Sequence, residues 1–326
     1  MHARGGVSPG NVKGRVWLAV RLVLTVVMLA ILVPRLRSAD LFEGRHLQSL
    51  LFIAAAVALN LFAIFLSTVR WQQMLHALDL PTPLPPLLSH TFAGLFVSNF
   101  LPTTVGGDVL RATRLSATNG HRKISAASVV LERLTGLVGL PLITLAALII
   151  TPSLRGLGTA SHLALALSLG PLAAFVVFLT VAVNPRLGAR LGARRWLGLA
   201  VTVHLGLVRL RRHPALAITI MTAALANQLT VCLVGWMAAH ALGIPVGWTA
   251  MMAFVPVVAI AQVLPLSIGG LGVREGSLVL FLGPLGVADG QAVALGLLFY
   301  GISLTVSLLG IPAFLFGSRR IEAVGV

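Results

Sequence analysis

The sequence predicts an all-α polytopic membrane protein with about six full transmembrane helices and two re-entrant hairpins related as an inverted repeat. Three observations predict this fold. Of the 326 residues, 57% are hydrophobic and only 10% are charged, against about 25% charged in soluble proteins. Apolar stretches of at least ~17 residues, enough to cross a bilayer, recur along the chain. A motif with Leu-Pro and Gly-Gly also occurs twice, half a chain apart.

Six apolar stretches are long enough to be full spans, because about 20 apolar residues in a helix cross the hydrocarbon core. The first stretch follows basic residues, as in a signal peptide. It is long, however, and lacks a good small-x-small cleavage site, so we expect it to be a retained helix. The predicted spans are residues 16–33, 47–69, 124–150, 162–183, 215–242 and 292–316.

Two shorter apolar stretches, residues 86–101 and 249–264, each end in Leu-Pro followed closely by a Gly-Gly pair. An unpaired peptide group in hydrocarbon costs several kcal/mol. A helix broken by Pro and Gly at membrane depth must therefore line a cavity that is buried in protein or filled with water. We expect both stretches to be arms of re-entrant hairpins.

The distribution of basic residues supports this topology, because lysine and arginine accumulate in cytoplasmic loops. With the N terminus in the cytoplasm, 17 of the 24 basic residues lie on the cytoplasmic side and 4 on the outer side. If residues 86–101 formed a full span, the basic run at 111–123 would face outward. We therefore predict a multi-pass protein of the bacterial inner membrane with both termini in the cytoplasm.

The repeated motif relates the two hairpins. Residues 99–111 align without a gap on residues 262–274, with Leu, Pro, both Gly and Arg identical. Three full spans separate the hairpins, so they enter the membrane from opposite faces, as in many secondary transporters. The alternatives are a chance match and a structural duplicate without a site. We expect one membrane domain over 1–326, with repeat halves at about 47–150 and 215–316 and a basic cytoplasmic loop at 184–214.

The residue types exclude several kinds of chemistry. A single cysteine, Cys232, rules out disulfide frameworks and multi-cysteine metal sites. No HExxH motif, phosphate-binding Gly-x-x-x-x-Gly-Lys loop or Cys-x-x-Cys pair occurs. We expect no catalytic residue, no metal and no cofactor. The net charge of +16 is explained by topology and by attraction to anionic lipid head groups, and we expect no nucleic-acid partner.

Charged residues in apolar segments are the main functional signal. Three of the eight acidic residues lie in or beside such segments, namely Asp108, Glu132 and Glu275. A charge at the bilayer centre costs about 2.5 to 3.5 kcal/mol on insertion scales, so each needs a partner. The candidates for Glu132 are Arg111 or Arg274. Arg133 follows Glu132 directly and cannot face it on a helix, so its candidates are Asp108 or Glu275.

The Gly-Gly pairs can turn the backbone sharply and leave amides free to approach an anion. With Arg111 and Arg274 nearby, they predict two half-sites for a phosphate. The alternative is that the glycines only make turns and the ion pairs only lock helices together. The predicted substrate-binding residues are Asn99, Gly106, Gly107, Asp108, Arg111, Glu132, Arg133, Gln262, Ser267, Gly269, Gly270, Arg274 and Glu275.

Other polar and aromatic residues have simpler explanations. His90 in the first arm and Gln262 in the second can donate hydrogen bonds to a head group, but a lone buried polar residue is more often satisfied by backbone. Trp71, Trp236 and Trp248 lie near predicted span ends, where aromatic residues anchor helices at the membrane interface. We expect these tryptophans to serve as anchors alone.

Four motifs together resemble the transmembrane region of lysylphosphatidylglycerol synthases, also called flippase-like membrane proteins. They are Arg70-Trp71, the Pro-x-x-x-Gly-Gly-Asp-x-x-Arg of residues 102–111, Leu131-Glu132-Arg133, and the Gly-Gly-Leu-Gly-x-Arg-Glu of residues 269–275. The resemblance covers about residues 15–316. The resemblance implies that, in the two-domain synthases, this membrane region moves aminoacylated phosphatidylglycerol while a separate cytosolic domain makes the lipid. We expect a standalone member, to which the membrane fold and motif residues carry over but lipid synthesis and lipid identity do not.

The resemblance and the buried charges predict a lipid translocase or lipid transporter. It would bind an anionic phospholipid or lipid-phosphate head group in a central cavity, and we expect it not to be an enzyme. One alternative is a non-transporting membrane scaffold for a lipid or cell-envelope biosynthetic partner. The other is a membrane enzyme acting on a lipid-linked substrate. The predicted partners are membrane lipid and either a second copy of the chain or a biosynthetic enzyme.

Overall fold

The computed structural model describes residues 46–100, 105–182, 198–263, 267 and 269–316, together with positions 23 and 27. Over these residues the chain is helical without any β-strand, which confirms the predicted all-α class. Apart from positions 23 and 27, the predicted span 16–33 lies outside the described residues, as do both termini and residues 184–197 of the predicted basic loop. The α-helices are α1 (His46–Ala77), α2 (Leu84–Phe100), α3 (Gly106–Asn119), α4 (Arg122–Ile150), α5 (Thr159–Ala182), α6 (Gly198–Arg212), α7 (Pro214–Ala241), α8 (Trp248–Val263), α9 (Val273–Leu282), α10 (Asp289–Leu308) and α11 (Gly310–Phe316).

Five of these helices are long and apolar enough to cross a membrane: α1, α4, α5, α7 and α10. They correspond to five of the six predicted full spans. The outward face of α5 is apolar, with Val176 51% and Val177 62% exposed. Large exposed apolar side chains on long helices are expected where the solvent is lipid. The chain is therefore an all-α polytopic membrane protein.

The last predicted span, 292–316, is wrong as a single helix. It forms α10 and α11, which meet at residues 309 and 310. The reason is a close contact with the first predicted hairpin. A Cβ on Gly310 would overlap the carbonyl oxygen of Phe92 and lie 2.8 Å from the Cβ of Phe96. α11 is also held by Arg114, which donates hydrogen bonds of 2.7 and 2.8 Å to two of its last carbonyl groups.

Three stretches that were predicted to lie in cytoplasmic loops are helical. α1 continues past residue 70 to Ala77, so Arg70 and Trp71 lie inside a helix. The apolar face of α1 continues with it, because Met74 and Leu75 are fully buried. Residues 106–119 form α3, and residues 198–212 of the predicted basic loop form α6. The span was predicted to end before Arg70 because Arg70 is charged, and hydropathy does not show which residue neutralises that charge.

The two predicted hairpin positions are occupied by helix pairs. α2 packs against α3, and α8 packs against α9. α8 lies in the largest apolar core, where Met251, Phe254 and Val257 are fully buried. The ring of Phe254 stacks on that of Phe281 in α9 with centroids 5.3 Å apart. Both helix pairs thus lie where the sequence placed hairpins, while their re-entrant course remains a prediction.

The glycine pairs of the two repeats have different structures, which corrects the expectation that both make turns. Gly106 and Gly107 begin helix α3, and a Cβ on Gly107 would overlap the Ser98 hydroxyl and the Gly94 carbonyl of α2. Gly269 and Gly270 instead adopt positive φ angles of 62° and 73°, which favour glycine. The first pair lets two helices approach each other closely, and only the second makes a turn.

Candidate functional site

Glu132 is the centre of a buried cluster formed by three helices. It lies on α4, is 2% exposed, and forms ion pairs with Arg70 of α1 and Arg111 of α3. The Arg111 Nη2 atom is 3.0 Å from Glu132 Oε2. The hydroxyl of Ser67 donates to Oε1 over 3.3 Å. Of the two candidate partners, the structure selects Arg111 and adds Arg70, which the sequence analysis did not place in the site.

Arg70 fits between α1 and α4 because Gly136 has no side chain. A Cβ at residue 136 would lie 3.3 Å from both Nη atoms of Arg70. Gly136 is one helical turn after Glu132, so the same face of α4 provides the carboxylate and the space for its partner. The sequence signal was present, since Arg70 directly follows an apolar run and no acidic residue lies near it in sequence.

Trp71 is part of this cluster, so its expected role as an interfacial anchor alone is wrong. Its side chain is fully buried, and its indole N–H donates to the hydroxyl of Ser128 over 3.0 Å. The guanidinium carbon of Arg111 lies 4.5 Å from the centroid of the Trp71 ring. A cation over an indole face is attracted by the ring electrons. Trp71 therefore helps to position Arg111 beside Glu132.

Arg133 and Asp108 form a second ion pair beside the cluster. The Arg133 Nη2 atom lies 2.9 Å from Asp108 Oδ1, so the structure selects Asp108 as the partner. The Arg133 side chain is 59% exposed, whereas that of its neighbour Glu132 is 3% exposed. Adjacent residues of α4 therefore face different environments, as helical spacing requires. Both pairs join α4 to α3.

Arg274 does not reach Glu132, and its donors hold the second glycine turn instead. Its Nη2 atom donates to the carbonyl of Gly269 over 3.0 Å, and its Nη1 atom to that of Gly296 over 3.3 Å. Its Nε atom donates to the Gln262 side chain over 3.3 Å. The guanidinium carbon lies 4.9 Å from the Tyr300 ring centroid. Every nitrogen of this guanidinium therefore donates to the protein itself.

Glu275 is fully buried in the second repeat and is not the partner of Arg133. One of its carboxylate oxygens accepts a hydrogen bond from the backbone N–H of Gly272, and the other lies 4.0 Å from Arg274. Gly296 of α10 provides its space, because a Cβ there would lie 2.9 Å from the Cγ of Glu275. Glu275 thus ties the start of α9 to α10.

Tyr300 connects the two repeats. Its hydroxyl donates to the backbone carbonyl of Asn99 over 3.4 Å, while its ring lies under Arg274. The side-chain Nδ2 atom of Asn99 and the Oγ atom of Ser267 are also buried without a hydrogen-bond partner among the described residues. The sequence analysis missed Tyr300, although it is the single tyrosine of the chain. It lies in an apolar span and carried no motif to mark it.

The cluster around Glu132 has an excess of buried positive charge. Two buried guanidinium groups, those of Arg70 and Arg111, share one carboxylate, and Arg133 is already paired with Asp108. Within the described residues, the Nε atoms of Arg70 and Arg111 are also buried without an acceptor. An uncompensated charge in a medium of low dielectric constant is costly. The electrostatics of this cluster therefore favour an anion.

His90 also lies in the first repeat, at 5% exposure on α2, and neither ring nitrogen has a hydrogen-bond partner within the described residues. The expectation that backbone would satisfy it is therefore not met. In the part of the chain that the structure describes, no three His, Cys, Asp or Glu side chains come together as metal ligands do. The absence of a cofactor remains a prediction.

Comparison with known proteins identifies the family. The family model described as Lysylphosphatidylglycerol synthase TM region matches residues 16–310. These residues include all five helices of membrane-spanning length, the Glu132 cluster and the Arg274 turn. No curated protein matches the sequence. The chain therefore belongs to the lysylphosphatidylglycerol synthase TM region family and is a multi-pass membrane protein linked to lipid metabolism or transport.

Proposed function

We propose that the protein is a lipid translocase of the bacterial inner membrane that binds an anionic phospholipid or lipid-phosphate head group. The observation that carries the proposal is the buried pair Arg70 and Arg111, which shares the single carboxylate of Glu132. A phosphate would balance the remaining charge. It would also accept hydrogen bonds from guanidinium groups in the bidentate geometry that arginine favours.

The arrangement of the cluster suggests how binding and movement are linked. Arg70 and Glu132 lie on the long helices α1 and α4, whereas Arg111 lies on α3, the second arm of the first helix pair. A phosphate that attracts Arg111 competes with Glu132. Binding would therefore loosen α3 from α4 while Arg70 keeps Glu132 neutralised, and release of the lipid would restore the original ion pair. The ligand thus has differential contacts in two states, as a translocation cycle requires.

A non-transporting scaffold is the second candidate, and the second repeat favours it. The donors of Arg274 are all directed at protein oxygen atoms, so this half serves structure more directly than ligand binding. Under the scaffold proposal, the ion pairs of the Glu132 cluster only hold the helices together. The two proposals differ in what happens to bound lipid when Arg111 is removed.

The test is lipid retention by Arg111→Ala in nanodiscs that contain phosphatidylglycerol and phosphatidylcholine. Native mass spectrometry measures the lipid that stays bound after release from the disc. Because a hydrogen bond to a charged group contributes about 1.5–3 kcal/mol, we expect a loss of phosphatidylglycerol of about ten-fold or more. The fold should survive, since Glu132 keeps Arg70 as its partner. Arg111→Lys should recover charge but only part of the retention.

Arg122→Ala is the matched control, because it removes the same charge from an exposed position at the start of α4. It should keep wild-type retention. Movement of a short-chain fluorescent phosphatidylglycerol across proteoliposome membranes should fall in Arg111→Ala and not in Arg122→Ala. Unchanged phosphatidylglycerol retention in Arg111→Ala would contradict the proposed anion site. Unchanged retention together with a lower melting temperature would favour the scaffold.

A further inference from the structure

A large apolar cavity lies beside the Glu132 cluster, between α4, α5, α6 and α7. Its volume is about 720 Å³, and its walls include Phe175 and Leu179 of α5, Leu207 of α6 and Ala217 of α7. α6 comes close to α4 because Gly206 has no side chain, and a Cβ there would lie 2.6 Å from a methyl carbon of Leu131. The cavity is therefore formed by the way α6 packs across the long helices.

We propose that this cavity binds one hydrocarbon chain of an anionic lipid, with the lipid phosphate at Arg211. The inference rests on the proposed function only in that the ligand is an anionic lipid. It adds a second site, separate from Arg70 and Arg111, that holds the chain and not the head group. The source of the ligand is the leaflet that surrounds α5, whose neighbouring side chains Val176 and Val177 are exposed.

The two hydroxyl groups in the cavity wall require no polar ligand. The hydroxyl of Thr135 donates to the backbone carbonyl of Glu132 over 2.9 Å, and that of Thr180 donates to the carbonyl of Val177 over 2.8 Å. Both hydroxyls are thus satisfied within their own helices. An apolar cavity with satisfied polar groups excludes water and takes an apolar ligand. In a bilayer, the abundant ligand of this kind is an acyl or prenyl chain.

Arg211 gives the cavity its preference for an anionic lipid. Arg211 is the charged residue among the described residues of the wall, it is exposed, and within the described ranges it forms no ion pair. Its neighbour on α6, Arg209, is already paired with Asp79. A basic residue near a membrane surface contributes about 1 kcal/mol of attraction to anionic lipid. An apolar cavity with a cationic side chain in its wall, unpaired among the residues that the structure describes, matches an anionic lipid in shape and charge.

The position of Thr135 relates the cavity to the proposed head-group site. Thr135 lies less than one helical turn after Glu132 on α4, and its hydroxyl donates to the backbone carbonyl of Glu132. A lipid whose chain lies in the cavity is thus held next to the ion-pair cluster before its head group reaches Arg111. The cavity would then be the site that the lipid occupies before it is transported.

The cavity can be tested by filling it. Ala217→Phe places a large side chain in the wall, whereas Ala215→Phe, two residues earlier and exposed, does not line the cavity. The probe is phosphatidylglycerol mixed with phosphatidylcholine in nanodiscs, followed by native mass spectrometry. We expect Ala217→Phe to lose one bound lipid copy and Ala215→Phe to keep it. Melting in detergent checks that both variants are folded.

Arg211→Ala and Arg212→Ala form a second pair, which does not depend on repacking. Both remove an exposed arginine at the end of α6, but only Arg211 lines the cavity. We expect Arg211→Ala to lower phosphatidylglycerol retention about five-fold, the equivalent of about 1 kcal/mol for one basic residue near an anionic surface. Arg212→Ala should leave retention unchanged, and phosphatidylcholine retention should not respond to either substitution.

The outcomes separate this inference from the proposed function. If Ala217→Phe keeps the lipid while Arg111→Ala loses it, the cavity site is wrong and the head-group site stands. If Ala217→Phe and Arg211→Ala lose lipid while Arg111→Ala keeps it, the cavity stands and the proposed translocation site fails. A folded Ala217→Phe protein with unchanged retention, or equal effects of Arg211→Ala and Arg212→Ala, overturns the inference.

Discussion

At the scale of single residues, Glu132 neutralises two arginines from different helices. Arg70 and Arg111 approach it from α1 and α3, and the Trp71 ring packs against the Arg111 guanidinium. Removing one partner of a buried ion pair leaves the other charge uncompensated, which costs about 3–5 kcal/mol. We therefore expect loss of the carboxylate to destabilise the protein more than loss of either arginine, because removal of one arginine leaves Glu132 paired with the other.

We predict that Glu132→Gln lowers the melting temperature in detergent and lipid movement together, because both guanidinium groups lose their counter-ion. Glu132→Asp should recover part of both, since it restores the charge on a shorter side chain. Asp79→Asn is the comparison for an exposed ion pair, and it should lower melting only slightly and leave lipid movement unchanged. Wild-type melting of Glu132→Gln with abolished lipid movement would contradict the structural ion pair and indicate that Glu132 carries a proton.

Asp79 offers a pH-dependent prediction outside the membrane-spanning helices. The hydrogen bond from the Arg209 guanidinium holds the pKa of the Asp79 carboxyl below its ordinary value of 3.8. A lowered pKa in the folded state means that the pair stabilises the protein at neutral pH and loses this effect as the pH falls through that lowered pKa. We expect Asp79→Asn to melt slightly below wild type at pH 7, with the difference disappearing in buffers well below pH 3.8. A difference that persists at low pH would show that the effect is not due to the charge.

At the scale of helices, the two Gly-Gly pairs show how one sequence motif supports two structures. The first pair begins α3 against α2, and the second forms a left-handed turn before α9. The helix pair containing the turn is held by Arg274, and the other is held to α4 by Arg111. Corresponding arginines therefore stabilise different features in the two repeats.

We predict that Gly107→Ala and Gly270→Ala both destabilise the protein, for different reasons. A Cβ at residue 107 overlaps the carbonyl of Gly94, and overpacking of this kind costs about 1–3 kcal/mol. Residue 270 has a φ of 73°, and its Cβ would lie 2.5 Å from the Gln262 side chain. Thermal melting in detergent is the measurement. Gly276→Ala on α9 is the control, since nothing beyond its own stretch of helix lies within 4 Å of its Cβ position, and it should melt at or slightly above wild type.

At the scale of the whole molecule, the relation of the two helix pairs to the membrane determines whether the repeat is inverted. The Tyr300 hydroxyl joins the end of α2 to α10, so the two repeats meet within the bundle. The predicted topology places the loop after α3 and the loop before α7 on the cytoplasmic side. The turn at Pro152–Gly156 is then on the outer side.

We predict that cysteines at Thr118 and His213 resist an impermeant thiol reagent in intact cells, while a cysteine at Ser153 reacts. All three side chains are exposed, so the side of the membrane decides labelling. The background carries Cys232→Ala, because Cys232 is the single cysteine and is buried. Permeabilised cells should show labelling at all three positions. Labelling of Thr118 from outside would make the first helix pair a full span and end the inverted-repeat hypothesis.

The sequence by itself determined the helical class, the helices of membrane-spanning length within the described residues, the positions of the two helix pairs and the need of Glu132 for an arginine. These follow from hydropathy and from the cost of a charge in hydrocarbon, which are properties of local sequence. The family motifs could be read for the same reason, because each lies within a short stretch.

Only the tertiary structure decided which residues meet. Arg70 reaches Glu132 from 62 positions away, and Tyr300 reaches Asn99 from 201 positions away. Identical Gly-Gly pairs became a helix contact in one repeat and a turn in the other, because different neighbours pack against them. The apolar cavity beside Arg211 also has walls from four helices, none of which forms it alone. Partners and cavities depend on distances between elements that are remote in sequence, and these distances are set by packing.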